Sequence, residues 1–157
     1  MISIRKSALV NYSAQQMYDI VADIDAYPDF LQWCSGSHVL EKNIVNEADS
    51  VEVVIARVDI HYKGIQQSFT TKNKNTSPSS ISMNLYDRSG PFDKLNGKWV
   101  FTNLDGDQKA SKIEFHLDFS VTSKLLTKIF EKVFYQIANL QVEGFVKRAE
   151  KLYQVAL

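Results

Sequence analysis

Lys112-Ile113-Glu114-Phe115-His116-Leu117-Asp118-Phe119-Ser120-Val121, together with the run that follows it, decides the fold. Ile113, Phe115, Leu117, Phe119 and Val121 alternate with Glu114, His116, Asp118 and Ser120. That two-residue period belongs to a strand with one core face and one wet face. From about Ser123 to Val155 the period changes. There is no proline, Gly144 is the one interior glycine, and Leu126, Phe130, Val133, Ile137, Leu140 and Gly144 recur at helical spacing. A second row, Ile129, Phe134, Ala138, Phe145, Ala149 and Leu152, widens the apolar stripe. The spacing predicts a helix of roughly 30 residues, about 45 Å long at the α-helical rise. A helix of that length has to pack along most of itself.

Outward from this pair, the middle of the chain reads as strands joined by turns. Gly97, Trp99 and Phe101 share a face after the Gly90-Pro91 turn, and Asp105-Gly106-Asp107 supplies the turn into the deciding strand. Ile81, Met83 and Leu85 alternate with Ser80, Ser82 and Asn84, after a polar loop from Asn73 to Ser79. Val51 to Val58 and Ile65 to Thr71 read as strands with blurred alternation. At the start, Ile2, Ile4, Ala8 and Val10 lie on one face of an extended segment, with Lys6 as the exception. Ser13 and Gln16 are spaced as a capping box ahead of Met17, Ile20, Val21 and Ile24. Pro28 then ends the helix or opens a second short turn amid Tyr27, Phe30, Leu31 and Trp33. The order is strand, two short helices, antiparallel strands and a long helix. It predicts one α+β domain over residues 1–157, in which a curved antiparallel sheet wraps a long C-terminal helix.

Composition narrows the class without naming a function. The chain has 157 residues, 45% apolar and 23% charged, as an ordinary globular protein does, with no repeat or low-complexity tract. Lysine plus arginine equals aspartate plus glutamate at 18 each, so there is no global basic field for nucleic acid or anionic lipid. The single cysteine, Cys34, forbids an intrachain disulfide and fits a reducing compartment. The N-terminus carries no secretory pattern and no apolar run is long enough to span a bilayer, which predicts a cytoplasmic protein.

Chemistry-bearing residues give little support for catalysis. His38, His61 and His116 are scattered, without a second ligand at metal spacing, so no metal and no catalytic residue is expected. Cys34 sits in an apolar segment with no basic neighbour and reads as a buried thiol. Asp19, Asp23, Asp25 and Asp29 read as a solvated face, since Asp19 and Asp23 lie opposite the apolar stripe. Lys124, Lys128 and Lys132 recur every four residues along the long helix, with Lys147, Arg148 and Lys151 near its end. These six are either a solvated face or a phosphate-contacting edge. Trp99, Phe101, Phe115, Phe119, Phe130, Phe134 and Phe145 all point, by pattern, between sheet and helix. Pattern alone leaves open a filled core or a pocket.

The strings DIDAYPDFLQWC (23–34), SGPFDKLNGKWVF (89–101) and KIEFHLDFSVTSKLL (112–126) resemble the START-like helix-grip superfamily. Within it they are similar to the family of ribosome-association toxin RatA and the coenzyme Q-binding proteins. The resemblance runs from about Ile4 to Tyr153; Gln32 stands where the family usually has proline, and Arg88-Ser89 reads as a short insertion. It implies a non-enzymatic protein with a pocket of several hundred cubic ångströms, holding ubiquinone or a lipid and supporting respiration. Its wall would be built from Met83, Leu85, Trp99, Phe101, Phe115, Leu117, Phe119, Phe130, Val133, Phe134 and Ile137. The alternative it implies is a toxin of a toxin–antitoxin system that contacts the large ribosomal subunit through the six basic residues and blocks subunit joining. A small antitoxin-like protein would then be a further partner. An aromatase or cyclase of polyketides is suggested by the superfamily alone, with no acid/base pair to support it. Beyond a bound quinone or lipid, no cofactor is expected.

Overall fold

The computed structural model describes residues 1–104, 107–122 and 127–153. Its frame is one seven-stranded antiparallel sheet of β1 (Ile2–Val10), β2 (Cys34–Asn46), β3 (Val51–Tyr62), β4 (Ile65–Thr76), β5 (Ser80–Leu85), β6 (Phe92–Leu104) and β7 (Asp107–Val121). The spatial order is β1-β7-β6-β5-β4-β3-β2, so each strand from β2 to β7 pairs with its neighbour in sequence, and β1 closes on β7. The deciding strand sets the register. Phe119 lies opposite Ile2 and Leu95, Leu117 opposite Ile4 and Gly97, Phe115 opposite Lys6 and Trp99, and Ile113 opposite Ala8 and Phe101. Because the pleat has period two, these rows put the apolar side chains on one face, where they are buried, and leave Glu114, His116 and Asp118 outside.

Between β1 and β2 lie α1 (Ala14–Ala22) and a 3₁₀ turn (Ile24–Asp29) that carries Pro28. The capping box is formed: Gln16 N donates to Ser13 Oγ at 3.0 Å and Ser13 N donates to Gln16 Oε1 at 2.9 Å. A further tether comes from Ala14 N, which donates to Asn103 Oδ1 of β6 at 2.9 Å. Ser13→Ala is therefore expected to destabilise the chain by about 1 kcal/mol in a urea titration, with an unchanged slope.

One expected strand boundary is wrong. The loop read at Asn73 to Ser79 is strand as far as Thr76, pairing Asn73 with Met83 and Asn75 with Ile81. Asn73 and Asn75 point inward and are buried while Lys72 and Lys74 point outward, so the alternation is intact and the inward polar residues disguise it.

The long helix is also not continuous. The structure bends it into α2 (Thr127–Asn139) and α3 (Gln141–Leu152); the expected ends at Ser123 to Leu126 and beyond Tyr153 lie outside the described residues, as does most of the 105–107 turn. At the bend, Asn139 Nδ2 donates to the Tyr135 carbonyl at 3.0 Å and Gln141 Nε2 to the Ile137 carbonyl at 3.1 Å. Leu140 N donates to Ile137 O at 3.1 Å, a three-residue closure, and Gly144 N to Leu140 O at 2.9 Å restarts the α ladder. Side-chain amides competing for the last carbonyls of a turn are a recognised cause of such bends. The bend also corrects the apolar stripe: Ile129, Leu140 and Leu152 are exposed, because α2 buries the arc of Phe130, Val133, Phe134, Ile137 and Ala138 and α3 that of Val142, Phe145 and Ala149. Gly144 fits closely at the 3₁₀ side, where a Cβ would stand 2.9 Å from Leu31 Cδ2.

An apolar cavity beneath the helix bend

Two opposite packing solutions share the space between sheet and helices. Under α2, five phenylalanines fill it. The ring of Phe92 lies 5.1 Å from Phe69, 6.1 Å from Phe119, 5.5 Å from Phe130 and 4.7 Å from Phe134, all edge-on. Toward the bend, small residues leave it open. Ala56 of β3 and Ala138 of α2 reach little into the gap, and on β6 the inward position between Leu95 and Trp99 is Gly97. A Cβ there would stand 2.6 Å from Met83 Cε and 3.3 Å from Leu117 Cδ1. A glycine inside a strand marks such close approach.

The result is a cavity of about 90 Å³. Its floor is the sheet, with Ala56, Val58, Phe69, Thr71, Asn73, Met83, Leu95, Trp99, Phe115 and Leu117. Its roof is Phe134, Ile137 and Ala138 with Gln141 and Phe145 across the bend, and its side is Ile24, Tyr27 and Trp33. It is smaller than the several hundred cubic ångströms that the resemblance implies. A dry space of about 150 Å³ is enough for benzene, so this one holds a small ring only if its wall yields.

Of the residues expected to line a pocket, the structure brings Met83, Trp99, Phe115, Leu117, Phe134 and Ile137 to the wall. Phe119 and Phe130 belong to the filled aromatic end, Val133 is buried in α2 outside the wall, and Leu85 is half-buried at the end of β5. Phe101 packs under α1, edge-on to Tyr18 at 5.9 Å. Sequence reasoning left Ile24, Tyr27, Trp33, Ala56, Val58, Phe69, Thr71, Asn73, Leu95, Ala138, Gln141 and Phe145 out of the wall; of these, Ala56, Thr71, Asn73, Ala138 and Gln141 are small or polar and give no apolar signal. The signal for Asn73 was its place between Lys72 and Lys74.

Tyr27 is the only titratable side chain on the wall among the described residues. Burial pushes its phenol far above the ordinary range, and its hydroxyl donates to the Val21 carbonyl. Cys34 is buried and reduced, with its thiol also pushed up by burial, so little thiolate exists near neutrality. His38, His61 and His116 are exposed. Among the described residues no group of three or more histidine, cysteine or acidic side chains is placed to hold a metal.

The basic residues do not form one row. Lys128 and Lys132 are exposed on α2 and Lys151 on α3, while Lys124 lies outside the described residues. Lys147 pairs with Glu143 at 2.9 Å, and the Arg148 guanidinium stacks on the Phe30 ring at 4.9 Å. No helix among the described residues is long and apolar enough to cross a membrane.

A curved antiparallel sheet gripping a bent C-terminal helix, with short helices after the first strand and an apolar gap between the layers, defines a START-like helix-grip protein. A START superfamily protein from Mycobacterium smegmatis has the same fold, with a TM-score of 0.74 at 20% identity over 96% of this chain and 98% of that one. The chain belongs to the polyketide cyclase / dehydrase and lipid transport family, which matches residues 10–146. It is 46% identical over 153 residues to the ribosome association toxin RatA of Escherichia coli strain K12, covering 98% of this chain and 90% of that protein. It is 24% identical over 153 residues to the mitochondrial coenzyme Q-binding protein COQ10 homolog B of Xenopus laevis, covering 97% of this chain and 59% of that protein.

Proposed function

We propose that this chain is a non-enzymatic binding protein that holds the ring of an isoprenoid quinone, or a comparable lipid, in the cavity beneath the bend, in support of respiration. The observation that carries this reading is a cavity whose wall has no acid, base or cation among the described residues and only Thr71, Asn73, Gln141, Trp33 and Tyr27 as polar or part-polar members. Binding there is driven by burial, near 25 cal/mol per Å² of apolar surface. The same wall gives an aromatase or cyclase no proton donor or acceptor that works near neutral pH. Ligand entry requires widening, and two features supply it. Met83 is half-buried, and its unbranched chain can swing away from Gly97. The helix bend separates the Phe134 half of the roof from the Phe145 half. The name of the COQ10 relative supports the quinone as ligand.

Purified chain mixed with ubiquinone is expected to retain it through gel filtration, with the quinone recovered by solvent extraction and mass spectrometry. Recovery no greater than from an unrelated protein of equal size rejects the ligand.

A second reading, association with the ribosome as a toxin, is favoured by the name of the RatA relatives. In this reading the chain contacts the large subunit in the cytoplasm and blocks subunit joining, with a small antitoxin-like protein as a further partner. Among the described residues of the helical layer, Lys128, Lys132, Lys147 and Lys151 are exposed cations that suit rRNA phosphates, Lys147 being paired with Glu143, and Arg148 is reachable by leaving the Phe30 ring. This reading uses the surface and the first uses the interior, so one chain can do both.

A further inference from the structure

The inward positions of β4 run Phe69, Thr71, Asn73 and Asn75, so three successive core-facing residues are polar, and all three are buried. A strand that merely completes a core has apolar residues there. Asn75 donates its NH₂ to Glu52 at 3.2 Å and its Oδ1 is unpaired too, but it lies off the cavity wall. Asn73 lines the cavity, 4% exposed, and its Oδ1 has no hydrogen-bond partner. Trp33 lines the same cavity, 8% exposed, and its Nε1–H has none either. The two do not bond each other. Buried polar groups in folded proteins are nearly always paired, and leaving one unpaired costs its full desolvation. One open donor and one open acceptor on the wall of an otherwise apolar cavity are the complement of a ligand's polar head.

We propose that Trp33 and Asn73 form a headgroup clamp for an oxygenated ring, with the ring oxygen accepting from Trp33 Nε1–H and held by the Asn73 amide. This rests on the ligand reading above and adds where the head of the molecule sits. A phenol or hydroquinone hydroxyl has the chemistry for both atoms, since it can accept from the indole and donate to Asn73 Oδ1. Because an asparagine amide can turn over to present its NH₂, a quinone carbonyl is accommodated by the same pair.

Phenol and toluene have nearly the same shape and differ in the hydroxyl, which makes them the test pair, followed by ligand-induced NMR shifts of the cavity side chains. Corrected for partitioning between water and octanol, phenol is expected to bind about tenfold tighter than toluene. Trp33→Phe and Asn73→Leu should each bring the ratio of phenol to toluene affinity, measured on the same variant, down to about one. Asn73→Leu should also keep or raise the melting temperature, since it removes no hydrogen bond made in the free protein; a purely structural asparagine would give a fall. Equal binding of the two probes to the unaltered chain, or an equal loss of both in the variants, overturns the clamp and leaves the ligand reading standing. Failure of both probes to bind removes the clamp and the cavity reading together.

Discussion

Phe92→Ala is expected to destabilise the chain by about 3–5 kcal/mol, the range for emptying a fully buried aromatic site. Phe92 is 0% exposed and its ring centroid lies within 6.1 Å of the rings of Phe69, Phe119, Phe130 and Phe134. Those partners come from β4, β7 and α2, so removing the ring takes edge-to-face contacts from sheet and helix together. A rotamer change by any of the four would break another ring contact, since Phe134 packs on Phe119 at 4.8 Å, on Phe130 at 5.8 Å and on Phe69 at 6.3 Å. A typical domain has only about 5–15 kcal/mol of stability in total, so the variant should be largely unfolded in modest urea. The check is the urea midpoint followed by far-ultraviolet circular dichroism. A loss below about 1 kcal/mol would mean that α2 does not sit on this ring cluster.

That cluster also accounts for what was and was not legible in the amino-acid sequence. The deciding strand was readable because its register is written in large residues, Ile113 to Val121, against charged ones. The helical run after it was readable for the same reason. The break within it was not, because it depends on where the Asn139 and Gln141 amides turn, and neither proline nor glycine marks the spot. The cavity was half readable. Its aromatic walls announce themselves, but its emptiness comes from Ala56 and Ala138, while Gly97 admits Met83 and Leu117 close to the sheet, and small residues carry no periodic signal. Counting aromatic side chains measures how much material lies between the layers. It says nothing of where that material stops, so Phe119 and Phe130 were assigned to a wall they do not reach. The family was legible from three short strings, whereas the choice between quinone and ribosome was not, since one depends on a void and the other on surface charge.

Ala138→Leu is expected to separate the two proposed activities. Ala138 is 1% exposed and faces the cavity from α2, so leucine there puts three more carbons into a space of about 90 Å³. Their burial gains about 2 kcal/mol at roughly 0.8 kcal/mol per carbon. Overpacking costs about 1–3 kcal/mol, so the two nearly cancel and stability should stay within about 2 kcal/mol of the parent. Ligand capacity has no such compensation, because the added carbons occupy the ring's place. Ubiquinone retention should fall at least about tenfold. The surface is untouched, with Lys128 and Lys132 exposed on the same helix and pointing away from the substituted side. Co-sedimentation with large ribosomal subunits on sucrose gradients should therefore match the parent at low salt and fall alike for both as salt rises. A chain that loses quinone and keeps ribosomes uses interior and surface independently. A chain that loses both couples them through α2, which carries the cavity roof on one face and the lysines on the other. Full quinone retention with a folded Ala138→Leu core would place the ligand outside this cavity.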